Sequence, residues 1–276
     1  MISKGRLIII RGIDKITTEE SDCALTSYHL LTKAFGLISV QKDVRIEIII
    51  TANKGAGKKE RSSAILEKLQ YHNTGCIHIQ KKQDVDDYYR RILEAKVVVF
   101  DNNTPEICAF LRNSAMLELL RKRYHEEENF TIVGINAGAM NLSGLILNDT
   151  GGTDAGLCFI NNCIIDTRFM HGARFKSLVK TVIGRQEYLG LGINEGTALL
   201  VEKGYIASCF GDNSVMVVNA KNVKNNPITR GDSVYKRNLK GHILTDGSVI
   251  SLLNGELIKH HNNTYSLHFT NRNTIR

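Results

Sequence analysis

No stretch of this sequence is apolar for long enough to span a bilayer, no two of its cysteines stand as a CxxC pair, and no basic run is interleaved with aromatics. The first absence excludes a transmembrane helix by hydropathy. The second argues against a zinc ribbon, a dithiol redox centre or a disulfide framework. The third makes the formal net charge of +8 read as a solvated basic surface, with no specific nucleic acid binding expected. The opening MISKGRLIIIRG holds only a short apolar run and no small-residue cleavage site, so the expectation is a cytoplasmic protein that does not associate with a membrane. Internal repeats and a domain linker are also lacking.

What is present is a chain of 276 residues, 42% hydrophobic and 23% charged. That is enough to bury a sizeable core, and 1–276 reads as one α/β domain. Cys23, Cys76, Cys108, Cys158, Cys163 and Cys209 lie scattered in apolar segments and read as core thiols. The histidines, including the pair His260 and His261, show no metal-ligand spacing. Neither a metal nor a cofactor is expected.

Apolar β-branched runs alternate with helical patterns along the first half. Arg6 to Arg11, Arg45 to Thr51, Cys76 to Ile79, Val97 to Asp101 and Phe130 to Gly134 read as strands buried on both faces. Asp22 to Phe35, Lys59 to His72, Asp84 to Ala95 and Thr104 to Glu127 carry apolar residues at helical spacing. Asp84 is placed to cap its helix, and Pro105 to open the next. Such alternation predicts right-handed crossovers and a mostly parallel central sheet flanked by helices. After Tyr188 the rhythm shortens: LGLGI, TALLVE, YIASCF and SVMVV are separated by glycine and polar turns and predict antiparallel hairpins that continue the sheet. Residues 221–232, rich in Asn and Lys with Pro227, read as an exposed loop, and 254–276 as a polar tail.

Ligands of open α/β sheets sit at the C-terminal strand ends. One such place, TANKGAGKK at Thr51 to Lys59, lacks the first glycine and the final Ser or Thr of a phosphate loop and reads as a basic surface loop. The other is FTIVGINAGAM, Phe130 to Met140. Here a buried strand runs through Gly134 and Ile135 to Asn136, then Ala137, Gly138 and a helix. Small residues on both sides are what a sharp strand-to-helix turn requires. That turn projects its central side chain above the sheet, beside free helix amides that can stabilise an oxyanion. In GxSxG hydrolases the central residue is serine; here it is asparagine.

With that elbow in place, the ordered set GINAGAM, IIDTRF (Ile164 to Phe169), GINEGTALLVE (Gly192 to Glu202) and GDNSVMVV (Gly211 to Val218) resembles the cyanophycinase family of serine peptidases. The likeness runs from about Gly5 to Asn219. The family pattern is a GTSAGA elbow, DxHF followed by arginines, GIDExTAL, a glycine turn and a last strand. The resemblance implies a fold related to class I glutamine amidotransferases and dipeptidase E, often dimeric, with a serine, histidine and acid triad.

Carried onto this chain, the resemblance puts Asn136 in the place of the nucleophile, Arg168 in that of the histidine and Glu195 in that of the acid. Gly134, Ala137 and Gly138 would form the elbow and its oxyanion backbone. Asp101, Asn102 and Asn103 fall on the stretch that contacts substrate, where Pro105 replaces a glutamine. Asp166 is kept. Arg174 aligns with an arginine that holds substrate carboxylates, whereas Gly172 and Ser177 stand where two others would be. A carboxamide cannot serve as nucleophile, and a guanidinium stays protonated and cannot act as base. The expectation is a pseudoenzyme with a binding or assembly role, pairing with itself or with an active relative, in which Glu195 bonds Arg168. An aspartyl-peptide or cyanophycin-like ligand fits the same resemblance. The alternative is an active hydrolase of cyanophycin or other β-aspartyl peptides with a relocated nucleophile, Ser143, Thr153 or Cys158, served by His171.

Overall fold

Successive side chains of a strand point to opposite faces, and in Arg6–Arg11 (β1) both faces are buried. Leu7 and Ile9 join one apolar cluster and Ile8 and Ile10 another, all fully buried. The computed structural model describes residues 2–12, 22–51, 61–101, 104–170, 173–223 and 239–259. Two-sided burial recurs in Ile46–Thr51 (β2), Val97–Asp101 (β4) and Thr131–Ile135 (β5), while Thr74–Ile79 (β3) is a partly exposed edge. Asp22–Gly36 (α1) and Arg61–Lys68 (α2) connect the first three strands.

Two expected helices are shorter than their apolar spacing predicts. Asp84 does not cap a helix: the stretch begins with two 3₁₀ turns, and the α-helix is Tyr89–Glu94 (α3). The long helix after Thr104 is divided into Glu106–Leu111 (α4) and Ala115–Glu126 (α5). Asn113 turns left-handed at φ 60°, and the Ser114 hydroxyl accepts from Leu117 N at 3.1 Å as a fresh N-cap. Local side-chain bonding thus overrides the periodicity.

Beyond β5 come a helix of five residues, Ala137–Asn141 (α6), then Ser143–Leu147 (β6), Thr153–Ala155 (β7), Ile160–Asp166 (β8) and Arg174–Gly184 (α7). The remaining strands are Leu189–Ile193 (β9), Thr197–Glu202 (β10), Ile206–Gly211 (β11), Val215–Asn219 (β12), Lys240–Leu244 (β13), Val249–Ser251 (β14) and Leu257–Lys259 (β15). Part of the expected polar tail is therefore an edge strand. The loop expected at 221–232 lies, from 224 on, outside the described residues.

Strands join in two sheets, ordered β3-β2-β4-β5-β1-β10-β11-β14-β15 and β7-β6-β8-β9-β12-β13. The first is parallel from β3 to β1 and antiparallel beyond; the second is parallel only across β6, β8 and β9. The α/β class holds, with mixed rather than mostly parallel sheets. One expectation needs correcting, since β9 and β12 do not continue the first sheet but belong to the second. The reason is core formation: Leu191, Ile193, Val215 and Val217 of the second sheet share a buried cluster with Leu7, Ile9, Val98 and Phe100 of the first. On the outer faces, α1 and α2 cover Ile8 and Ile10, and α7 covers Ile164 and Val218. Among the described residues no helix is long and apolar enough to cross a membrane.

Candidate functional site at the strand-to-helix elbow

Parallel pairing puts Ile10 beside Ile135, and antiparallel pairing puts Arg11 beside Thr197. The ends of β1 and β5 and the turn before β10 therefore converge on one point above the sheet. Asn136 occupies it with φ 52° and ψ −114°. This conformation lies outside the regions open to side-chain-bearing residues and costs about 1–3 kcal/mol. Packing enforces it. A Cβ on Gly138 would stand 2.0 Å from the Phe100 carbonyl oxygen, and one on Gly134 would stand 2.7 Å from Ala139 Cα. Only glycine lets the helix start this close to β4 and β5.

Asn136 is 8% exposed and is stitched to β1 twice. Its N–H donates to the Ile10 carbonyl at 2.9 Å, and its Oδ1 accepts from Gly12 N at 2.9 Å. Its carbonyl accepts from Ala139 N at 3.1 Å and Met140 N at 3.3 Å. Gly134 lies near the end of β5, and Ala137 and Gly138 open α6 on the other side of Asn136. The side chain at the apex is held by the backbone of the neighbouring strand.

The expected ion pair between Glu195 and Arg168 is not formed. Glu195 bonds Arg11 at 2.7 Å, with the arginine side chain 2% exposed and the glutamate 46%. The Glu195 carbonyl also accepts from Asn213 Nδ2 at 2.7 Å. Arg168 instead reaches Asp149, 75% exposed, at 2.9 Å. The correction has a structural cause: Arg168 N donates to Asp166 Oδ1 at 2.8 Å, which turns the chain at the end of β8, and its guanidinium meets the β6–β7 turn. Asp166 itself is fully buried, and its Oδ2 accepts from Arg174 Nε at 3.0 Å. Arg174 also bonds Asp149 at 3.1 Å and the carbonyls of Asn148 and Leu147, both at 3.2 Å. The arginine expected to hold a substrate carboxylate holds two of the protein's own.

Asp101, 9% exposed, accepts from the Ser62 hydroxyl at the end of β4. Asn102 and Asn103 lie outside the described residues, as do His171, the lysine loop from 52 to 60, and His260 and His261.

The relocated nucleophiles fare differently. Ser143 is not on a helix; it opens β6, fully buried, with its hydroxyl 2.7 Å from the Met140 carbonyl and 2.6 Å from that of Leu145. Both are acceptors, so its proton is committed to backbone. Thr153 lies on the rim strand β7 and is half-buried. Cys158 is half-buried with φ 57°, its Sγ 3.6 Å from the Gly156 carbonyl. Burial pushes the Cys108 and Cys209 thiols up to about 12 and raises Cys163 further, which keeps all three protonated. Among the described residues no three His, Cys, Asp or Glu side chains gather as a metal site.

Two groups were missed in the sequence, Arg11 and Gly12. The available signal was the arginine ending RLIIIR, a charge closing a strand buried on both faces, at the end where α/β sheets build their sites.

No family model matches the chain, and the curated proteins it resembles are of low identity. A cyanophycinase of Trichormus variabilis is 24% identical over 199 residues, covering 66% of this chain and 66% of that protein. A cyanophycinase of Synechococcus elongatus is 28% identical over 162 residues, 51% of this chain and 50% of its own length. The chain therefore spans just under two thirds of the first relative and half of the second. Among solved structures, a candidate peptidase E protein of Listeria monocytogenes aligns at a TM-score of 0.45 and 10% identity, over 71% of this chain and 94% of that one.

Proposed function

We propose that this chain is a catalytically silent relative of the cyanophycinases, with a binding or assembly role, as a homodimer or paired with an active family member. One observation carries the reading: at the apex of an intact, strained elbow stands Asn136, its carboxamide oxygen tied to Gly12 N. A carboxamide has no lone pair basic enough to attack a carbonyl and no proton a base could usefully remove. The residue in the histidine's place, Arg168, stays protonated and is paired with Asp149. The remaining acid, Glu195, faces Arg11. The elbow persists because it joins β1 to β5, which is a folding role.

The test is an assay of the purified chain with cyanophycin, with β-Asp-Arg and with an α-linked aspartyl dipeptide. It is joined to labelling by a serine-directed fluorophosphonate and co-sedimentation with cyanophycin granules. The expected result is no turnover and no labelling. Turnover abolished by Asn136→Ala overturns the reading, whereas turnover that survives that change places the nucleophile elsewhere.

A further inference from the structure

The geometry points to Asn136 as a site of self-modification, where the backbone nitrogen of Ala137 attacks the side-chain carboxamide and converts the asparagine, through a cyclic imide, to aspartate. The argument begins with ring closure. A succinimide is a five-membered ring made of Ala137 N and the C, Cα, Cβ and Cγ atoms of Asn136. A near-planar ring requires Cβ and Ala137 N to eclipse one another about the Cα–C bond. In an L-residue the tetrahedral Cα sets Cβ roughly 120° from its own nitrogen about that bond. Eclipsing is therefore met when ψ lies near that angle on the negative side. Asn136 has ψ −114°. Flexible chains seldom visit this conformation because it is strained for any residue with a Cβ, yet here the elbow imposes it.

Three further features act on the same two peptide groups. The Asn136 Oδ1 accepts from Gly12 N at 2.9 Å, a bond that withdraws electrons from Cγ and is in place to stabilise the oxyanion formed by attack. The Asn136 carbonyl accepts from both Ala139 N and Met140 N, which spreads negative charge if the Ala137 amide loses its proton. Ala137 N–H is the first of its helix and donates to no group among the described residues, and Ala137 is half-exposed, so water reaches it.

The step balances without any further reagent than water. Ala137 N loses its proton to solvent and bonds to Cγ; the C–N bond to the side-chain amide breaks, and ammonia leaves after taking a proton. Water then opens the imide. Attack at Cγ gives aspartate at 136, and attack at the backbone carbonyl carbon gives the β-linked isoaspartyl form. Either product puts a carboxylate at the apex of the elbow, within one residue of the Arg11–Glu195 pair along β1's end.

The experiment follows the native, full-length protein in mildly alkaline buffer made with ¹⁸O water, with peptide mapping by mass spectrometry at successive times. A urea-denatured sample runs in parallel, and isoaspartyl methyltransferase labelling reports the β-linked product. Asn254, which precedes Gly255, is the internal control, since a small following residue favours the reaction in an unfolded chain. The strain that folding supplies in advance predicts that Asn136 reacts roughly tenfold or more faster in the folded protein than in urea. Asn254 shows the opposite order. Ala137→Pro, which removes the amide proton at a helix position that tolerates proline, abolishes conversion at 136. An Asn136 that is stable in the native protein, or converts no faster there than in urea, overturns the proposal; the wild-type comparison decides it even if the proline variant fails to fold. Chain cleavage after 136 in place of ¹⁸O uptake also overturns it.

Discussion

Arg11 closes the apolar strand β1 and meets Glu195 at 2.7 Å, the arginine buried and the glutamate half in water. The pair ties the end of β1 to the turn that carries the chain from the second sheet back to the first. The next residue, Gly12, ties the same strand end to the elbow through Asn136. Of the three positions that resemble a triad by sequence, Asn136 and Glu195 fasten the end of β1 in the fold, while Arg168 bonds Asp149.

The asymmetry of burial predicts an order of stability effects. Glu195→Ala takes the carboxylate from a buried guanidinium and should cost about 1–3 kcal/mol, the penalty for a buried donor deprived of a strong acceptor. Arg11→Met leaves a carboxylate that water can solvate, and its apolar stem packs where the arginine stem did. Urea denaturation of both variants should therefore place Glu195→Ala below Arg11→Met. The reverse order would mean that Arg11 stabilises the strand end through its other contacts.

The elbow glycines make a sharper case. Gly138→Ala drives a methyl group into the Phe100 carbonyl, and Gly134→Ala drives one into Ala139. Overpacking of this kind costs about 1–3 kcal/mol and more where backbone must move. Calorimetry should show Gly138→Ala as the less stable of the two, because its clash is shorter and its two nearest contacts, the Phe100 carbonyl oxygen and carbon, are both backbone.

The elbow was legible because its requirement is steric and local: small residues at fixed offsets around one apex. The parallel strands β1, β2, β4 and β5 were legible too, since burial on both faces leaves continuous apolar runs. The division into two sheets was not. LGLGI and TALLVE read alike, and only their ladder partners, β12 for the first and β1 for the second, assign them to different sheets. The partner of Glu195 was equally hidden, since pairing across 184 residues of sequence depends on the antiparallel register of β1 and β10.

Thiol chemistry separates the remaining nucleophile candidates. Burial pushes Cys108 and Cys209 up to about 12 and raises Cys163 as well, so near neutrality they are un-ionised and shielded. Brief treatment of the native protein with iodoacetamide should leave these three unmodified, with alkylation confined to the half-buried Cys76 and Cys158 among the described thiols. Labelling of Cys163 under native conditions would show that the second sheet opens.

Acid stability has a local contributor at the end of α5. The Arg123 fork bonds Glu127 at 2.8 and 2.9 Å and, with Lys96, holds its carboxyl below the ordinary value of 4.5. A depressed folded-state value contributes stability that is present above about 4.5 and is lost as pH falls through the lowered value. Glu127→Gln should be less stable than the parent at neutral pH and converge with it at acid pH. Urea midpoints across that range measure the convergence.

Rebuilding the triad tests the functional reading most directly. Asn136→Ser alone should remain at background on β-Asp-Arg, because the new hydroxyl gains no base: Arg168 stays protonated and turns toward Asp149. Adding Arg168→His supplies an imidazole, but its backbone N–H is fixed to Asp166 and the acid that should orient it is bound to Arg11. The double variant should therefore also stay near background, since a triad works as a unit and its parts are strongly non-additive. Adding Arg11→Met releases Glu195, and the triple variant is the first in which weak hydrolysis is expected. Initial rates against Asn136→Ala as the blank give the measurement. If Asn136→Ser by itself hydrolysed the dipeptide well above that blank, a competent base would already stand beside the elbow, and the silent reading of this site would fall with the assignment of Arg168.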